Sequence, residues 1–179
     1  MQSPDISQNY FELFGLSVEY DLDLHFLHSE QQNLQSQYHP DRFAAASDQE
    51  RRTSVQIASH INQAYETLKD PVKRAFYLLE QSGAAIPDDS QTTSDTVFLM
   101  EQMELREAME GCREAQDPIQ CSEEINIKLS KRKGDLAAEF VTGYQSGDFD
   151  AACAIAQKMQ FIQRLQHQLD ELQYELEDA

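Results

Sequence analysis

An all-α fold in two helical parts is what this sequence predicts, and three observations predict it. Leu, Glu, Gln and Ala are abundant, while 179 residues hold only 6 Gly and 5 Pro and few β-branched runs, a composition that favours helix over strand. Apolar residues recur at three- and four-residue spacing through most of the chain. Between Ala84 and Thr93 the pattern stops: Pro87, Asp88, Asp89, Ser90 and Thr92 sit in a stretch with almost no apolar content, which is a linker composition. The expected division is a first domain over 1–83, a linker over 84–93 and a second domain over 94–179.

Each element follows from local chemistry. Asn9 to Leu16 reads as a short helix ended by Gly15, since glycine takes the left-handed conformation without steric cost. Asp21 or Asp23 can cap a second helix to about Tyr38, with the stripe Leu24, Leu27, Leu34 and Tyr38 and Gln31 where a fifth apolar residue is expected. His39-Pro40-Asp41 stops it, because proline lacks the amide and pushes its predecessor out of helical geometry. After a loop around Ala44 to Ser47, Asp48 can cap a third helix with the stripe Val55, Ala58, Ile61, Tyr65 and Leu68, closed by Lys69-Asp70-Pro71. The second and third helices then pair antiparallel. Pro71 suits the first turn of a fourth helix whose apolar face is Val72, Ala75, Phe76, Leu78 and Leu79, before Ser82-Gly83. Beyond the linker, three helices are expected: Ser94 to about Glu114, Pro118 to about Thr142 and Asp148 to about Leu176. They form a small antiparallel bundle.

Charge and cysteines narrow the function classes. The formal net charge is −18, which argues against nucleic acid or an anionic membrane as partner, because each phosphate contact needs a Lys or Arg. Residues 1–80 carry 6 basic and 12 acidic side chains and residues 81–179 carry 8 and 20, so the second half is the more acidic and fits proteins with basic surfaces. No apolar run approaches the ~20 residues of a membrane span. Cys112, Cys121 and Cys153 are odd in number without Cys-x-x-Cys spacing, and the N-terminus reads as no signal peptide. The reading is three buried thiols in a reducing cytoplasm. His25, His28 and His60 read as solvated histidines rather than metal ligands, and no glycine-rich loop cradles a phosphate. No catalytic residue, metal or cofactor is expected.

The helix, the antiparallel helix and His39-Pro40-Asp41 between them, with Tyr38 before and Arg42 and Phe43 after, resemble the J-domain of DnaK co-chaperones. The Tyr10-Phe11-x-Leu13-x-Gly15-Leu16 entry and Ile61-Asn62-Gln63-Ala64-Tyr65-Glu66-Thr67-Leu68 before Asp70-Pro71 carry the same resemblance. It implies that Tyr38, His39, Pro40, Asp41, Arg42 and Phe43 meet the ATPase domain of a DnaK/HscA-type chaperone and stimulate its hydrolysis of ATP. The physics suits docking: Pro40 fixes the backbone, and the Asp41 carboxylate can take a bidentate bond from an arginine. One departure is plain. Such domains usually carry Lys and Arg on the second helix, whereas Asp21 to Tyr38 holds no Lys or Arg and three acids; Arg42, Arg51 and Arg52 are the nearest replacements. That points to a dedicated chaperone.

On a wheel of about 100° per residue, Phe98, Leu105, Ala108, Met109 and Cys112 share one arc of the fifth helix, while Leu99, Met100 and Met103 lie on another with Glu104 and Glu107. An apolar face beyond the core stripe is either buried twice or a recognition surface, and methionine adapts readily to a partner. With Phe98-Leu99-Met100-Glu101-Gln102-x-Glu104-Leu105-Arg106-Glu107 the resemblance narrows to the HscB family of J-proteins in iron–sulfur cluster assembly, from Tyr10 to about Leu172. It implies that this helix binds an IscU-type scaffold through Leu99, Met100, Met103, Glu104 and Glu107, with Phe161 of the last helix as an addition. Gly111 stands where the family can show a further acid. The paired cysteines of the zinc-binding extension of animal members are not in this sequence, which implies the bacterial form.

Overall fold

The computed structural model describes residues 8–43, 46–86 and 95–178; Ala44, Ala45 and most of the expected linker, from residue 87, lie outside them. All regular structure among the described residues is helical. The chain divides into two compact units, Met1–Leu78 and Leu79–Ala179, so the division falls inside a helix.

In the first unit, α1 (Tyr10–Leu13) is capped by the Asn9 side chain, which accepts from the Glu12 amide, and Gly15 ends it at φ 66°. α2 (Leu24–Tyr38) is capped by Asp23. α3 (Asp48–Lys69) starts at Ser47 rather than Asp48, through a reciprocal capping box with Glu50. Contacts from Gln35 to Asn62 and from His28 to Tyr65 run the two helices antiparallel. α4 (Pro71–Gln81) follows directly.

The core stripes differ from the expected ones in an instructive way. On α3 the buried residues are Ser54, Ile57, Ile61, Ala64 and Leu68, and Val55 is 53% exposed. The true stripe keeps strict 3-4-3-4 spacing by accepting a serine, whose hydroxyl donates to the Arg51 carbonyl and so enters the core satisfied. On α2 only Leu27 and Gln31 are buried; Leu24 lies outside the core. The α4 face brings a buried cation besides Val72 and Ala75. Arg74 donates to the Leu68 carbonyl at 2.5 Å, closing the end of α3, and its guanidinium stands over the Tyr20 ring at 4.8 Å. Tyr10 stacks on Tyr77 and donates its amide to the Tyr77 hydroxyl, tying α1 to α4.

The second unit is built on α6 (Pro118–Ser146) and α7 (Phe149–Glu177), 29 residues each. Only Gly147, at φ 77°, and the capping Asp148 separate them. α6 runs through Gly143 to Ser146, and at Gly143 the Ala152 backbone of α7 passes 3.5 Å from where a Cβ would stand, an ordinary van der Waals distance. Contacts Asn126–Gln166 and Ser122–Gln173 continue the antiparallel register. Ile125, Leu129, Leu136 and Phe140 of α6 meet Ala156, Met159, Ile162, Leu165, Leu169 and Leu172 of α7 in the core. α5 (Thr96–Gly111) packs against α6, again antiparallel, with Phe98 and Met109 buried. Leu105 is half-buried and Ala108 is exposed, so both leave the core arc expected of them.

Candidate functional site

Two exposed features, one in each unit, hold the residues singled out by sequence. In the first unit, α2 ends at Tyr38, His39 turns the backbone to φ −60° and ψ 130°, and Pro40–Phe43 forms one 3-10 turn. The extended His39 is what a following proline demands. The Asp41 amide donates to His39 Nδ1 at 3.3 Å, and the Asp41 carboxylate lies 3.5 Å from the same nitrogen. The side chains of His39 and Asp41 are 58% and 91% exposed. Arg42 works locally: its guanidinium donates to the Ser36 carbonyl at 3.1 Å and its amide to the His39 carbonyl at 3.0 Å. It closes the C-terminus of α2 and braces the loop. Tyr38 and Phe43 are half-buried and line a depression of ≈ 420 Å³ with Ser54 and Ile57. These two support the loop, and His39 and Asp41 are what it presents. Nearby, Arg51 pairs with Asp48.

In the second unit, the outward face of α5 carries Met100 at 61% and Met103 at 62% exposure, beside exposed Glu104 and Glu107. Neither glutamate forms an ion pair with a described residue. Leu99 is half-buried and falls at the edge of this face nearest Arg106 at about 100° per residue. Phe161 of α7 reaches the same edge: its ring meets Phe98 edge-on at 5.8 Å, and Arg106 stands over it at 5.2 Å. Phe161 is half-buried, an edge-of-core aromatic with one side turned to the patch. Val97 was missed by the sequence reading. At 79% it is the most exposed large apolar side chain described, and its three-residue offset from Met100 was the signal that could have placed it on this face.

The start of α5 is held electrostatically. Lys158 donates to Asp95 Oδ2 at 2.6 Å, while Asp95 Oδ1 caps the helix by accepting from the Phe98 amide at 3.1 Å. The bond from Lys158 and then that from Phe98 hold the Asp95 carboxyl below its usual range. A carboxylate with a depressed folded pKa stabilises fully above its unfolded pKa, and the contribution is lost as pH falls through the folded value. The Phe98 amide is therefore expected to stay protected from neutral pH down to the ordinary Asp range and to open only below it. Amide exchange followed against pH checks this, and Asp95→Asn should remove that acid step.

Cysteine placement corrects the sequence reading. Cys112 and Cys121 form a disulfide, and Cys153 alone is a buried thiol. The nine-residue separation looked too wide for a motif, but the short turn between α5 and α6 folds the two sulfurs together. The cysteine count thus loses its force as an argument about compartment. His28 contacts Tyr65 and Gln32, and among the described residues no group of three His, Cys, Asp or Glu is placed to hold a metal ion. No described helix is long and apolar enough to cross a membrane.

Comparison with known proteins agrees with this architecture. Residues 94–170 match the family model described as the HSCB C-terminal oligomerisation domain. A co-chaperone protein HscB homolog from Colwellia psychrerythraea is 40% identical over 95% of this chain and 99% of its own length. Among solved structures, chaperone HscB from Vibrio cholerae superposes with a TM-score of 0.86 at 37% identity, covering 94% of this chain and 99% of that one. Human co-chaperone protein HscB gives 0.85 at 28% identity, covering 95% and 84%. The chain therefore belongs to the HscB family: it is a co-chaperone of iron–sulfur cluster assembly, not an enzyme.

Proposed function

We propose that the first unit is a J-domain that switches a DnaK/HscA-type ATPase, and that the second binds and delivers an IscU-type iron–sulfur scaffold, in the cytoplasm. His39 and Asp41 are the docking groups. Pro40 and Arg42 hold their backbone, and Tyr38 and Phe43 seat the loop, so presenting the two costs little entropy. Asp41 offers a carboxylate to an arginine of the chaperone. The groups that hydrolyse ATP belong to that partner. The absence of Lys and Arg from α2 leaves electrostatic steering to the cations at the loop and the start of α3, which lowers the association rate with a strongly acidic chaperone surface and favours a dedicated partner.

The client meets Leu99, Met100, Met103 and Phe161, with Val97 extending the apolar area and Glu104 and Glu107 selecting a basic surface. The cluster is the scaffold's cargo and needs no ligand from this chain. The observation that carries the reading is the α5 face: two methionines more than half exposed beside two carboxylates without ion pairs among the described residues. The test is titration of the full chain with an IscU-type scaffold and, in parallel, with a denatured reporter protein. Saturable binding of the folded scaffold at about micromolar Kd (roughly −8 kcal/mol), with little affinity for the reporter, supports dedicated delivery. The opposite pattern makes the chain a general folding helper.

A further inference from the structure

The Cys112–Cys121 bond sits at an informative place. Cys112 follows the last residue of α5 and is fully buried; Cys121 lies in the first turn of α6 and is half-exposed. Most other anchors of α5 are at its N-terminal end. Asp95 pairs with Lys158, Phe98 is buried against Phe161, and Glu101 pairs with Arg132 of α6 at 2.9 Å, both side chains largely covered. Toward the C-terminus the buried hold is Met109. The Arg113–Glu175 pair just beyond is 56% exposed on each side, and such pairs contribute little. The covalent link thus joins Met109 and the Arg106–Phe161 contact in restraining that end of the helix.

We propose that the Cys112–Cys121 disulfide is a redox-operated clamp on α5, closed when oxidised and released by a dithiol reductant, setting how firmly the Glu107 end of the Met100, Met103 and Glu107 face is held for its partner. The proposal rests on the reading of that face as the client surface. Release proceeds by thiol–disulfide exchange. A thiolate of the reductant attacks the Cys121 sulfur, the more accessible of the two, and the bond to Cys112 breaks. Cys112 leaves as thiolate and takes a proton. The reductant's second thiolate then displaces Cys121 from the mixed disulfide. Two electrons pass to the pair, both cysteines end as thiols, and the reductant ends as its own disulfide. A glutathione-type disulfide drives the reverse. Cys153 does not compete: it is 4% exposed, and burial first, then Asp150, raises its pKa and keeps it a thiol.

With the clamp open, the end of α5 frays, and a partner that needs the ordered helix must supply the ordering free energy. The test uses the full chain, treated with oxidised glutathione or with dithiothreitol, and the variant Cys121→Ser, which keeps the buried Cys112 thiol in place. Thiol titration after denaturation should find one thiol in the oxidised chain, that of Cys153, and three in the reduced one. Amide exchange over 105–112 should quicken by about tenfold or more in the reduced chain and the variant, with α7 unchanged. Affinity for an IscU-type scaffold should fall by roughly three- to tenfold. Three thiols after glutathione treatment, or equal α5 exchange in both states, would overturn the clamp. If exchange responds but neither state binds scaffold, the clamp stands and the client reading falls.

Discussion

His39→Gln and Asp41→Asn are each expected to abolish stimulation of the chaperone ATPase while the protein melts within about 2 °C of the parent. Both side chains are largely in water, at 58% and 91% exposure, and surface substitutions of this kind cost under ~0.5 kcal/mol. Their effect on docking is of another size. Removing one partner of a desolvated, charge-assisted bond costs roughly 2–5 kcal/mol, about 30-fold to several thousand-fold in affinity. Asp41→Asn keeps the size and shape of the side chain but turns one acceptor oxygen into a donor amide, so its loss of function would report the charge together with bidentate acceptance from an arginine. ATP turnover of a DnaK/HscA-type chaperone, with scaffold present, is the measurement, paired with a circular-dichroism melt. Scaffold affinity should be unchanged, because α5 lies in the other unit. Stimulation that survives both substitutions would remove the J-domain reading.

Truncation of the α5 face should show the converse. Met100→Ala and Met103→Ala remove side chains already more than half in solvent, so the melting temperature should barely move. Whichever serves as anchor should weaken scaffold binding by about 2 kcal/mol or more, a factor near 30. Leu99→Ala should cost some stability as well, since Leu99 is half-buried. Glu107→Lys should act through rate: association slows, and the parent's association rate should fall with added salt. Stimulation of the chaperone without client should survive all four changes. Calorimetric unfolding beside scaffold titration decides the matter. Lost stability with unchanged affinity would assign these residues to the core and send the search for the client site elsewhere.

Much of this architecture was legible because the signals are local. Gly15, Pro40, Pro71, Pro118 and Gly147 punctuate the helices through backbone chemistry alone, and the second α5 face showed on a wheel because Met100 and Met103 lie far from Phe98. What was not legible needed a third dimension. The α3 stripe runs through Ser54, and a hydroxyl satisfied by its own helix looks polar until its bond is seen. Arg74 reads as a surface cation, yet the end of α3 and the Tyr20 ring enclose it. Gly143 reads as a helix stop, yet α6 continues through it to Ser146. The disulfide depends on a turn whose path composition does not reveal. Val97 went unnoticed because one exposed valine is ordinary; its meaning comes from Met100 one turn away.

The two-residue connection between α6 and α7 has a kinetic consequence. Two helices, each about 44 Å long at 1.5 Å per residue, meet across Gly147 and Asp148, so their first contacts close loops of only a few residues and can propagate outward like a zip. This hairpin is expected to nucleate the folding of its unit. α5 precedes it in the chain and shares its short connection to α6, yet buries only Phe98 and Met109, too little to lead. A helix that joins last belongs to the early-opening end of the stability range. Substitutions along α5 should therefore mainly speed unfolding, whereas those at Leu129, Leu136 or Phe140 should slow folding itself.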